Sequence, residues 1–299
     1  MQNTFKRGRG DRYDGWRVRN VDPFFAVVPF VLRSRLDCQV LFEEKVPLEK
    51  AEAFIREHQS DMPGLSLMHV FIAAMVRLFS QKPYINRFIV YNKIYAHNSL
   101  TFSLAVKRSM DVHGEETTIQ PEFEPTDTIY DVVRRVQEEL ATQDVGAEND
   151  TDAVAKIFRK LPTWLVRFVV GILRKLDNIG KMPKFINKVS PFHCSMFITN
   201  VGSLGIGPVY HHLYEFGTCS LFGAIGNKTR VNTVNKAGEV VQERYLGLKF
   251  VVDERICDGY YFATAMKMLR RIFANPDVLL TPPEQVFVDD GVDRPRLDQ

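Results

Sequence analysis

Residues 247–264 read GLKFVVDERICDGYYFAT. GLKFVVDE continues a β-branched and aromatic run that starts at Tyr245, so a strand is expected over 245–254. YYFATAMKMLRRIFANP has apolar residues at helical spacing and ends at Asn275–Pro276, which predicts a helix over 260–276. DGYYFAT therefore reads as the end of a loop entering a helix. Glu254 is the side chain whose chemistry decides what that loop can do.

Working outward, CSMFITNVGSLG (194–205) reads as a strand running into a glycine turn, and CSLFGAIGNKTR as another strand. CQVLFEEKVPL (38–48) is strand-like, and the segment after it spaces Leu48, Ala51, Phe54 and Ile55 as a helix does. SLMHVFIAAMVRLFSQKP (66–83) predicts a buried helix capped by Ser66 and stopped by Pro83, with His69 as a core or edge histidine. Residues 87–108 read as strands around an AHNS turn, and 126–143 as an amphipathic helix. In LPTWLVRFVVGILRKLDNIGKMP (161–183), Trp164, Leu165, Phe168, Val169, Ile172 and Leu173 form an apolar face beside Arg167, Arg174 and Lys175. A packed helix, a helix lining an acyl pocket and a helix on a membrane surface all fit this pattern.

A chain of 299 residues that is 45% hydrophobic can bury one large core. The net charge of +3 does not by itself imply nucleic acid. The basic excess is local: Lys6, Arg7, Arg9, Arg12, Arg17 and Arg19 face only Asp11 and Asp14 in the first twenty residues. This segment reads as a flexible arm. Contact with an acidic partner, RNA or a membrane surface, or docking on a neighbouring subunit, stays open. The four cysteines form no CxxC pair, so no metal site is expected, and a reducing, cytoplasmic setting is. No apolar run reaches transmembrane length.

FITNVGSLG is similar to the FTISNLG strand and turn of the 2-oxoacid dehydrogenase acyltransferases, and DERICDGYYFATAM is similar to their DHRVIDGAxAAxF loop and helix. The two motifs occur in the family's order, and the resemblance spans residues 35–281. It implies an α/β chloramphenicol acetyltransferase-like fold, a two-layer sandwich of mixed sheet and helices. It also implies a homotrimer with active sites between subunits. No tightly bound cofactor is implied; coenzyme A or an acyl-coenzyme A thioester is the substrate. In the family a histidine deprotonates a thiol, the thiolate attacks a thioester carbonyl, and a hydroxyl stabilises the oxyanion. Carried over, Asp258 and Gly259 match the loop, and Thr199 takes the hydroxyl position. Asn200, Gly202 and Ser203 follow it as substrate-binding candidates. Glu254 falls where the family has its histidine.

A thiol has a pKa near about 8.5, histidine about 6.5 and glutamate about 4.3, so transfer to Glu254 is uphill by about 3 kcal/mol more than transfer to histidine. Three readings follow. Glu254 is structural and the protein is an inactive trimeric scaffold or regulator; or Glu254 acts as base; or the base has moved. VYHHLYEFGT (209–218) offers the moved base in His212, with His211 beside it. An extended chain would point the two histidines to opposite sides, whereas a helix would place His212 and Glu215 on one face. Packing at a trimer contact is the plainer reading of these rings.

The expected plan is a basic arm over 1–34, a catalytic-like domain over 35–281 with a helical insertion at about 144–190, and a polar tail over 282–299. No lipoyl domain or Ala/Pro-rich linker is read, so a conventional complex core is not expected.

Overall fold

A computed structural model describes residues 7–107, 116–144, 159–235 and 237–292. In chain order the elements are β1 (Gly15–Arg17), α1 (Pro23–Val31), β2 (Gln39–Pro47), α2 (Glu49–His58), α3 (Leu67–Gln81), β3 (Arg87–Val90), β4 (Lys93–His97), β5 (Leu100–Lys107), β6 (Glu116–Ile119), β7 (Glu122–Phe123) and α4 (Ile129–Asp144). They continue with α5 (Thr163–Asn178), α6 (Lys184–Val189), β8 (Met196–Asn200), β9 (Leu221–Val234), β10 (Val240–Asp253) and α7 (Gly259–Ala274).

The main sheet runs β2-β10-β9-β8-β5-β6, with β7 also paired to β5. It is mixed: β8 is parallel to both β9 and β5, and the remaining pairs are antiparallel. A small antiparallel sheet, β1-β4-β3, stands apart. Within the segment read as an arm, residues 15–17 thus pair with β4. The insertion is described only from residue 159 onward, and residues 145–158 and 293–299 lie outside the described residues.

Strand alternation sends side chains to two faces. Ile198, Phe250 and Val252 join a large core with α2, α3, α4 and α7, while Phe197, Phe222 and Val251 join a small second core with Leu213, Cys194 and Cys219. These four helices therefore form one layer, and the chain after β8 covers the other face. α3 is buried almost throughout because its sequence is apolar on every side. The His69 ring accepts from the Ser66 backbone N–H at 3.2 Å, which closes the cap of that helix from the opposite side.

Candidate functional site

Glu254 follows the last residue of β10, and its backbone N–H donates to the Cys38 carbonyl at 2.9 Å. The loop is fixed by its neighbours on either side. Arg255 grips Asp253 in a bidentate pair at 2.8 and 2.6 Å, and Arg35 lies 3.7 Å from the same carboxylate. All three are buried, at 0% exposure for Asp253, 2% for Arg255 and 4% for Arg35. Burial works against the Arg255 charge, but the hydrogen bonds and charge of Asp253 hold its pKa above the usual value. Both guanidinium groups also donate to backbone carbonyls, Arg255 to Leu32 and Arg33, and Arg35 to Tyr214, Ile89 and Gly217. A buried charge cluster satisfied in this way locks the loop to the chain between α1 and β2.

With Asp253 and Arg255 turned inward, Glu254 turns outward. Its carboxylate makes no hydrogen bond or ion pair among the described residues. It stands at a cleft of about 320 Å³ lined by Phe24, Phe25, Leu32, Val40, Phe42 and Phe262, with Asp258 and Gly259 at the rim. Asp258 caps α7: its Oδ1 accepts from the Tyr261 N–H at 2.6 Å. Thus the loop and the helix start bring Glu254, Asp258 and Gly259 together. Sequence reasoning missed α1, whose Phe24 and Phe25 form one wall. The signal was Asp22–Pro23, a cap followed by a proline at the first helical position; Asp22 accepts from the Phe24 N–H at 2.9 Å.

The other candidates lie elsewhere. Thr199 pairs with Ala224, which pairs with Lys249, five residues before Glu254. Two strand spacings across and five residues along separate Thr199 from Glu254 by roughly 19 Å in one chain. Asn200 Oδ1 accepts from the Gly202 N–H at 3.1 Å, and the Ser203 hydroxyl donates to the Asn200 carbonyl at 3.0 Å, so both shape the turn after β8. Residues 207–214 form neither helix nor strand and run over the second face, with the His211 and His212 rings 4.8 Å apart rather than on opposite sides. The His211 ring stacks on Phe222 at 4.2 Å and the Tyr210 ring lies 4.4 Å from Lys249 Nζ. His212 packs edge-on to Tyr214 and is exposed. Glu215 does not orient His212. It accepts from the Ser34 hydroxyl and the Leu36 N–H, both at 2.9 Å, and those bonds with the Arg35 charge hold its pKa low despite burial. Among the described residues no three His, Cys, Asp or Glu side chains group to hold a metal ion.

The segment after β8 lies close to the sheet because two glycines make room. A Cβ on Gly202 would meet the Gly226 carbonyl oxygen at 2.2 Å, and one on Gly226 would meet Pro208 Cδ at 2.1 Å. Gly226→Ala is expected to lower unfolding stability by about 1–3 kcal/mol, read by thermal unfolding, because backbone and proline cannot yield as a side-chain tip can. An unchanged melting temperature would show that residues 206–210 are free to lift off the sheet.

No protein-family model matches this chain, and no curated protein matches it in sequence. Solved structures do. A probable dihydrolipoamide acetyltransferase from Listeria monocytogenes is 11% identical, covering 85% of this chain and 93% of that one, with a TM-score of 0.54. The dihydrolipoamide acetyltransferase of Azotobacter vinelandii is 13% identical, covering 81% and 84%, with a TM-score of 0.52. A truncated catalytic core of the 2-oxoacid dehydrogenase multienzyme complex from Thermoplasma acidophilum is 11% identical, covering 86% and 98%, with a TM-score of 0.51. The chain has the chloramphenicol acetyltransferase-like fold of these acyltransferase cores, as its two motifs imply.

Proposed function

We propose that the chain is an acyltransferase using coenzyme A thioesters, with Glu254 as its acid–base residue and with reaction centres completed between copies. The observation that carries this reading is the Glu254 carboxylate, without a partner among the described residues at an apolar cleft while a buried charge cluster fixes the loop on either side of it.

Glu254 and Thr199 lie roughly 19 Å apart along the ladder, so they meet only if two copies do. Each has its own exposed apolar surroundings: Phe24, Val27 and Phe30 on α1 near Glu254, and Leu204, Ile206 and Val209 after Thr199. Two different patches make a head-to-tail contact, which closes into a ring when the rotation between copies divides the circle. A homotrimer is such a ring. In the Azotobacter vinelandii enzyme, roles in the catalytic mechanism were investigated for a serine, a histidine and an asparagine. Here Thr199 would supply the hydroxyl and Glu254 the base.

The step runs as follows. Glu254 takes the proton of an acceptor thiol. The thiolate attacks the carbonyl carbon of the acyl-coenzyme A thioester, and the Thr199 hydroxyl of a neighbouring copy donates to the oxyanion. Collapse breaks the bond to coenzyme A sulfur, and the departing thiolate recovers the proton from Glu254. The apolar walls favour an acyl chain and exclude water.

Calorimetry with coenzyme A and acetyl-coenzyme A tests this. Micromolar binding by the wild type and by Glu254→His is the expected result. No binding by either protein would discard the enzyme in favour of an inactive scaffold. One observation favours that second reading: Phe24 and Phe25 of the chain's own α1 already fill one wall of the cleft.

A further inference from the structure

We infer that α5 (Thr163–Asn178) is a docking surface for an anionic lipid membrane. The inference is independent of the chemistry at Glu254. Trp164, Phe168 and Ile172 follow one another at i, i+4 and i+8, so they form one line along the helix. They are exposed by 69%, 62% and 41%, while Leu165, Val169, Leu173 and Leu176 on the adjoining side are half-buried against the protein. Beyond the helix, Ile179 and Phe185 extend the exposed apolar surface.

The charge along this segment is almost all of one sign. Between residues 159 and 192 the chain has eight Lys or Arg and a single acid, Asp177. Asp177 is turned away from solvent. It pairs with Arg12 at 2.6 Å and lies 3.4 Å from the His193 ring, and it is 4% exposed. That contact pins the C-terminal end of α5 to the fold and removes its only negative charge from the surface. Arg159, Lys160, Arg167, Arg174, Lys175 and Lys181 are all exposed. Arg33, just after α1, lines the same polar pocket as Arg174 and brings a further cation to this end of the helix; Glu215 lines that pocket too, with its carboxylate held by Ser34 and Leu36.

An apolar line headed by tryptophan and flanked mainly by cations matches a helix lying in the plane of an anionic interface. A protein partner fits less well, because the centres of protein interfaces are depleted in lysine. No described helix is long and apolar enough to cross a membrane, so the contact is with the surface.

The test uses the full chain and sedimentation with vesicles of phosphatidylcholine alone or mixed with phosphatidylglycerol. Binding only to the anionic vesicles, weakened by added salt, is expected. Arg167→Glu with Arg174→Glu should reduce partitioning at least about twenty-five-fold, from roughly fivefold per charge removed. Trp164→Ser with Phe168→Ser should also release the protein. Both pairs are at exposed positions, and circular dichroism confirms their folding. The chain has two tryptophans, and Trp16 is buried, so a blue shift of wild-type emission on binding reports Trp164. The inference is overturned by no binding to anionic vesicles at low salt, by binding without a blue shift, or by binding that neither double variant changes. Equal binding to soluble polyglutamate would overturn it in favour of an acidic protein partner.

Discussion

Asp253→Asn is expected to lower the free energy of unfolding by about 3–5 kcal/mol, read from the guanidinium chloride midpoint at unchanged slope. The side chain keeps its size, so packing is preserved and only the charge is lost. Arg255 and Arg35, at 2% and 4% exposure, then lose the carboxylate they share and keep only backbone carbonyls and the charge of Glu215. Breaking a buried pair costs far more than a surface pair is worth, because the surviving charge has neither water nor partner. Adding Arg255→Met to Asp253→Asn should recover part of the loss. A loss below about 1 kcal/mol for the single variant would mean the cluster is hydrated and does not fix the loop.

Glu254→Gln is expected to lower kcat/KM for acetyl transfer on the order of 10²–10⁴-fold while leaving coenzyme A affinity nearly unchanged, since the amide keeps the shape and loses the base. Glu254→His is expected to exceed the wild type by on the order of a hundredfold, following the greater basicity of imidazole. Steady-state rates with acetyl-coenzyme A and a dithiol acceptor measure both. If Glu254→Gln turned over as fast as the wild type, the base would have to be sought elsewhere. His211 stacked on Phe222 would be the next residue to replace.

Local chemistry was legible in the sequence. The strand–loop–helix of 245–276 is present as β10 and α7 because strand alternation, the Asp258 cap and the Asn275–Pro276 stop each act within a few residues. The buried helix after Ser66 and the glycine turn after β8 were legible for the same reason. α1 was not, since Pro29 interrupts its helical pattern, although its Asp22–Pro23 start is a local signal.

What the tertiary structure alone decided are relations between distant residues. Arg35 meets Asp253, and Arg12 meets Asp177, only because the fold brings distant segments together. Glu215 turns to Ser34 and Leu36 rather than to His212, because residues 207–214 form no helix that would put the two on one face. The pairing register sets Thr199 and Glu254 roughly 19 Å apart, a separation no motif spacing encodes. The sequence contains both ends of each contact, but which ends meet follows from register and burial, which belong to the whole chain.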